Sequence, residues 1–208
     1  MRAAYLRRRP QWVFSRIHDR KLWSGSESLS GSGSGLAQTS ALRSRLPALL
    51  EELNVRSLLD APCGDFHWMK EVDLPVDHYF GIDIVPALIE ANESRFQGPG
   101  REFYCRNLIT DDLPKTQFIL CRQLLIHLPL AECIQTLRNF KRTGAQFLLV
   151  TNHSDATVNR DIPMGSYRPL NLRLPPFKFP EPLVIVQDSL NESDPAFLSL
   201  YRLQTLTI

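Results

Sequence analysis

Two acids stand where apolar strands end, and their surroundings suit a ligand that carries vicinal hydroxyls. Residues 58–66 read LLDAPCGDF and residues 79–83 read YFGID. The run Val55–Ala61, interrupted by Arg56 and Ser57, breaks into Pro62, Cys63 and Gly64, as a short buried strand does on meeting a tight turn. Gly64 lets a ligand approach the backbone with no Cβ in the way. His78–Ile84 reads as a second apolar strand, and Asp83 at its carboxyl end is placed to accept two hydrogen bonds from a ribose. Pro62 and Phe66 stand where a dinucleotide fingerprint wants glycines, and there is no Walker lysine. Pyrophosphate is thereby disfavoured, and a ligand with a ribose but no phosphate fits better.

The elements that must hold these residues follow from periodicity and breakers. Leu42, Leu46, Leu49, Leu50 and Leu53 recur at helical spacing, so residues 36–53 are predicted as an amphipathic helix ahead of the first strand. A short helix is expected over 67–72, another over 86–96 with Pro86 in its first turn, and a third over 129–141, stopped by Gly144. Gln117–Cys121 and Gln146–Thr151 read as further strands, the latter apolar enough for the middle of a parallel sheet. Leu183–Gln187 and Leu198–Thr207 read as a closing antiparallel pair joined by NESDPA. The proline-rich connection 152–182 lacks periodicity, and such long loops are usually functional or disordered.

DAPCGD at 60–65 together with GID at 81–83 resembles the first two motifs of the class I S-adenosylmethionine-dependent methyltransferases, with departures at Pro62 and Phe66. The resemblance covers roughly residues 40–208. FYCRNLITDDLP at 103–114 is similar to that family's third motif, which implies that Asn107 meets the adenine amino group through a neutral amide where an acid is usual. CRQLLIHLP at 121–129 resembles the turn after the fourth strand that lines the methyl-donor pocket. What the resemblance implies is an α/β, Rossmann-like sheet, mostly parallel with an antiparallel C-terminal strand and helices on both faces. It also implies S-adenosyl-L-methionine as cofactor, met by Asp60, Pro62, Cys63, Gly64, Asp83, Ile84, Asn107, Leu108 and Cys121.

Methyl transfer is an in-line displacement that depends mainly on positioning, with a general base needed for a hydroxyl acceptor. His18, His67, His127 and His153 are the titratable candidates. His127 and His153, each beyond the carboxyl end of a predicted strand, are the favoured pair, against the plainer alternative of helix-end and loop histidines. His18 with Asp19 would reach the site if the segment that follows is a lid; otherwise it is an exposed histidine. In the proline-rich loop Tyr167, Arg168 and Asn171 form a polar set, and Arg168 could hold an anionic substrate group or pin the loop to the core. No metal site is expected.

Residues 1–17 carry five arginines and no acid, interleaved with Tyr5, Trp12 and Phe14. A solvated basic arm, a mitochondrial-type targeting segment and an RNA-touching tail all fit, the arm best. Residues 23–35, WSGSESLSGSGSG, look like a flexible linker. They also resemble a segment ahead of the first helix in a group of little-characterised methyltransferases, matched at Glu27, Ser28, Ser30, Gly31 and Gly33. That likeness implies a lid whose Ser30 and Gly31 close over the cofactor. The chain therefore divides into an arm and lid or linker, 1–35, and a Rossmann-like methyltransferase domain, 36–208.

With 43% hydrophobic and 22% charged residues the composition is ordinary for a soluble globule, and no apolar run reaches the length of a membrane span. A net charge of +2 does not argue for bulk nucleic-acid binding. Cys63, Cys105, Cys121 and Cys133 lack C-x-x-C spacing and read as free thiols in a reducing compartment. The expectation is a cytoplasmic methyltransferase, mitochondrial if the N-terminus is a targeting segment. It would act on oxygen or nitrogen of a polar small-molecule or saccharide-like acceptor. The alternatives are an RNA methyltransferase using the basic arm and a cofactor-binding module without activity.

Overall fold

The computed structural model describes residues 2–23, 25–188 and 195–208, with the backbone alone for residues 2–8. One sheet of seven strands organises them: β1 (Ser57–Asp60), β2 (His78–Asp83), β3 (Arg101–Cys105), β4 (Phe118–Cys121), β5 (Phe147–Asn152), β6 (Val184–Gln187) and β7 (Phe197–Arg202), in the order β3-β2-β1-β4-β5-β7-β6. The first five pair in parallel, and β7 runs antiparallel between β5 and β6. Every residue of β4 and β5 is buried, as expected for strands covered on both faces.

One face carries α2 (Ser40–Glu52) and α3 (Pro86–Phe96). In α2 the buried residues are Leu42, Leu46, Leu49 and Leu50, the helical stripe the sequence spells out. The other face carries α4 (Leu130–Arg142), with Cys133, Leu137 and Phe140 buried. Beside α4 the proline-rich connection lays Leu170, Leu172, Phe177 and Phe179 on the sheet, where a helix could otherwise lie. Its lack of period thus belongs to an ordered segment packed by its own apolar residues.

Local structure at the N-terminus, in two turns and at the last strand adds to or corrects the sequence expectations. Residues 2–19 form a helix, α1 (Arg2–Asp19), whose Val13 and Phe14 pack against the core. It ends in a Schellman turn: Lys21 N–H donates to His18 O (2.9 Å), Leu22 N–H to Ile17 O (3.0 Å), and Lys21 takes φ 53°. The helix expected over 67–72 is a single 3₁₀ turn, Met69–Glu71, because so short a segment cannot repay helix nucleation. After β4 the chain makes a 3₁₀ turn, Leu125–His127, and the helix waits until Leu130, since the residue before Pro129 is forced out of the helical region. The last strand stops at Arg202, followed by a 3₁₀ turn, Leu203–Thr205. Most of the NESDPA connection lies outside the described residues. Among those residues no helix is long and apolar enough to cross a membrane.

Candidate functional site

Strand order reverses between β1 and β4, and the crevice beyond the carboxyl ends of the strands at such a switch point is where open α/β sheets bind ligands. A cavity of about 560 Å³ opens there, within the range of small-molecule sites. Its floor is the strand ends and the loop after β1: Asp60, Pro62, Cys63, Gly64, Asp83 and Ile84. Asn107 and Leu108, after β3, form one wall. Arg122, Gln123, Leu124 and His127, after β4, form another. The roof is Phe14, Ile17 and His18 of α1 together with Trp23 and residues 29–34.

The turn after β1 keeps a left-handed path despite its missing glycine. Gly64 has φ 55° and Phe66 φ 57°, a conformation that costs a residue bearing a Cβ about 1–2 kcal/mol. Phe66 offsets this by burial: its ring is 1% exposed and meets Tyr79, Phe96 and Phe103 at centroid distances of 5.2–5.3 Å. Gly64 N–H donates to Asp83 Oδ2 (3.2 Å) and Val85 N–H to Asp83 Oδ1 (2.9 Å). Each oxygen keeps a lone pair for a ligand hydroxyl. Burial raises the Asp83 carboxyl above its usual range, against the pull of those backbone donors. Asp60 is raised further, to about 7, by burial, while the hydroxyl of Tyr79 donates to its Oδ2 at 2.7 Å.

The glycine-serine segment is fastened onto this loop. Ser28 Oγ donates to Asp65 Oδ2 (2.8 Å), Leu29 N–H donates to the same oxygen (2.7 Å), and Asp65 N–H donates to Ser30 Oγ (2.9 Å). A Cβ on Gly64 would collide with the Ser30 hydroxyl, so the absence of a side chain lets segment and loop close on each other. Glu27 Oε2 accepts Leu36 N–H (2.9 Å) and lies 3.5 Å from His67 Nε2. Arg122, buried and paired with Asp188, donates from Nη2 to Gly33 O (2.7 Å). Glu27, Ser28, Leu29 and Ser30 thus each have a structural partner.

His127 lines the cavity with Trp23 stacked on its ring at 4.3 Å. Its Nδ1 lies 2.9 Å from Ser166 O, which can only accept, so Nδ1 carries the proton and Nε2 keeps its lone pair. Burial lowers its pKa to about 4.

Of the residues singled out by sequence, Asp60, Pro62, Cys63, Gly64, Asp83, Ile84, Asn107, Leu108, Ser30, Gly31, His18 and His127 come together around the cavity. Five do not. Cys121 is fully buried in the core under α4. His153 is 3% exposed, and both its backbone N–H and its Nδ1 are bonded to Leu170. Arg168 holds the loop instead of an anion: Nη1 donates to Leu128 O (2.6 Å) and Nη2 to Cys133 Sγ (3.4 Å). Asn171 is spent on the loop as well, donating to Ser154 O and Ala156 O and bridging to Asn159. Tyr167 is half exposed beside His127 and His153, outside the cavity wall. The residues that sequence reasoning missed, Asp65, Arg122, Gln123, Phe14 and Trp23, are brought in by contacts distant along the chain. Asp65, inside the first motif, and Arg122 and Gln123, inside CRQLLIHLP, carried a local signal.

No protein-family model matches the chain, and no curated protein matches it. Solved structures do. N-methyltransferase NodS from Bradyrhizobium japonicum WM9, in complex with S-adenosyl-L-homocysteine, superposes with a TM-score of 0.60 at 13% identity, over 90% of this chain and 96% of that one. The methyltransferase domain of bacterial CtHen1-CN gives 0.59 at 12% identity, over 79% and 99%. Magnesium protoporphyrin IX methyltransferase (ChlM) from Synechocystis PCC 6803, with bound SAM, gives 0.57 at 13% identity, over 80% of each chain. The likeness is one of fold: a seven-stranded, mostly parallel sheet with an antiparallel strand near the C-terminus.

Proposed function

We propose that the protein is an S-adenosylmethionine-dependent methyltransferase acting on oxygen or nitrogen of a polar small molecule, saccharide-like acceptors included. The observation that carries this reading is Asp83, buried at the end of β2, facing the cavity across from Gly64 with a lone pair left on each oxygen. Methyltransferases solved with S-adenosyl ligands share the fold, which supports the same cofactor here. Further support is the side chain missing at Gly64, where a Cβ would obstruct closure of the roof.

Bound S-adenosylmethionine supplies an electrophilic methyl group on a sulfonium centre. The chain's residues bind and orient. Asp83 holds the ribose hydroxyls, and Asn107 and Leu108 meet the adenine. Asp60 sets a titratable carboxyl in the floor, and a cationic ligand favours its ionised form. The glycine-serine segment and α1 act as a lid that excludes water. His127 receives the acceptor's hydrogen bond on Nε2 and takes its proton as transfer proceeds. Trp23, Phe14 and Leu124 give the cavity an apolar side against which a ring-shaped acceptor fits.

Calorimetric titration with S-adenosylmethionine and S-adenosylhomocysteine tests the reading. Binding of both is expected, weakened at least ~10-fold by Asp83→Ala through loss of charge-assisted hydrogen bonds. Folded wild-type protein that binds neither ligand overturns it.

A further inference from the structure

We propose that His18 of the N-terminal helix is a cofactor-binding residue, reaching the ribose from the roof of the cavity while Asp83 holds it from the floor. This rests on the methyltransferase reading above. His18 and Asp83 line the same cavity. Asp83 spends one lone pair of each oxygen on Gly64 and Val85, whereas His18 Nδ1 is buried and has no hydrogen-bond partner. A buried imidazole nitrogen left unpaired costs free energy that a ligand hydroxyl would recover. The two side chains are also near enough for a charge on the imidazole to favour ionisation of Asp83. Each can therefore meet the same diol.

The helix is held so that His18 keeps this position. His18 O accepts Lys21 N–H in the closing turn, which fixes the last turn of the helix. On the neighbouring faces Val13 and Ile17 sit over Gly165, where a Cβ would come within 2.8 and 2.9 Å of them. Phe14 meets Trp23 edge-on at 5.9 Å, and Trp23 in turn stacks on His127. The C-terminal half of the N-terminal helix, with Phe14, Ile17 and His18, thereby becomes part of the binding site.

The experiment is calorimetric titration of the full chain with S-adenosylhomocysteine, adenosine and 2′,3′-dideoxyadenosine, for wild type, His18→Ala, His18→Asn, His18→Gln and Asp83→Ala. Thermal melts of the ligand-free proteins establish that each is folded. His18→Ala is expected to weaken S-adenosylhomocysteine and adenosine about 10-fold, the loss of one buried hydrogen bond. It should leave dideoxyadenosine unchanged. Asn, whose amide nitrogen sits near the position of Nδ1, should restore most of the loss, and Gln should not. Wild-type affinity in His18→Ala, with binding still lost in Asp83→Ala, overturns this inference and leaves the methyltransferase reading standing. Equal weakening of adenosine and dideoxyadenosine overturns the ribose contact. Failure of the wild type to bind S-adenosylhomocysteine overturns both.

Discussion

Ser28 donates its hydroxyl to both carboxylate oxygens of Asp65, at 3.0 and 2.8 Å, and so fastens the glycine-serine segment to the loop that follows β1. A segment with the composition of a flexible linker becomes a fixed roof, because one carboxylate also accepts the backbone N–H groups of Leu29 and His67.

Asp65→Ala is expected to free that roof. Three donors lose their acceptor, so stability should fall by about 1–3 kcal/mol, and hydrogen exchange over residues 25–35 should accelerate. S-adenosylhomocysteine affinity should drop with it. Unchanged exchange over that segment would show that Glu27 and Arg122 hold it without Asp65.

Gly165→Ala tests the seat of α1. Gly165 has φ 81°, and an added Cβ meets Val13 and Ile17 at 2.8 and 2.9 Å, so strain and overpacking act together. A loss of about 1–3 kcal/mol in denaturant unfolding is expected. Proteolytic cleavage within residues 9–23 should become faster, and binding of the S-adenosyl ligand weaker.

The pH dependence of catalysis follows from His127. Burial lowers its pKa to about 4 from the usual 6.5, so its Nε2 lone pair is available throughout the neutral range. With a hydroxyl acceptor the acid limb of the rate profile should fall near pH 4 instead of near 6.5. His127→Ala should lower kcat by about 10²–10⁴-fold and leave S-adenosylhomocysteine affinity within a fewfold. A profile with its acid limb unmoved in the variant would remove His127 from the proton transfer.

Asp60 gives a stability effect of opposite sign to the usual carboxylate. Its folded pKa, about 7, exceeds the ordinary 3.8, so between those values the folded state binds more protons than the unfolded one. Stability is greatest below pH 4, declines as pH rises to about 7, and is level beyond; the decline is on the order of 4 kcal/mol. His127, with its lowered pKa, works the other way between about 4 and 6.5. Asp60→Asn isolates the first effect: its unfolding free energy relative to wild type should increase from pH 4 to 7 and then stay constant. A difference that does not vary with pH contradicts the raised pKa.

Much of the fold was legible because its signals are local. The strand runs ending at Asp60 and Asp83, the breakers after them and the leucine stripe of α2 are each set by residues a few positions apart, and the cavity floor stands where those runs end. Phe66 marks the boundary. As a missing glycine it signals a departure from the usual motif, and only the aromatic cluster it enters shows why the turn survives.

What the tertiary structure alone decided is where long-range partners send a side chain. Arg168 and Asn171 carry the chemistry of a substrate clamp, yet Leu128 and Cys133 take the hydrogen bonds of the first and Ser154 and Ala156 those of the second, and unpaired burial of those polar groups would cost more. The basic N-terminus reads as an arm because its charges are local, and it lies over the cavity because Val13, Phe14 and Ile17 find apolar partners far along the chain. Sequence determined which groups could do chemistry; packing decided which of them face the cavity, since burial and pairing depend on residues that meet only when the chain is folded.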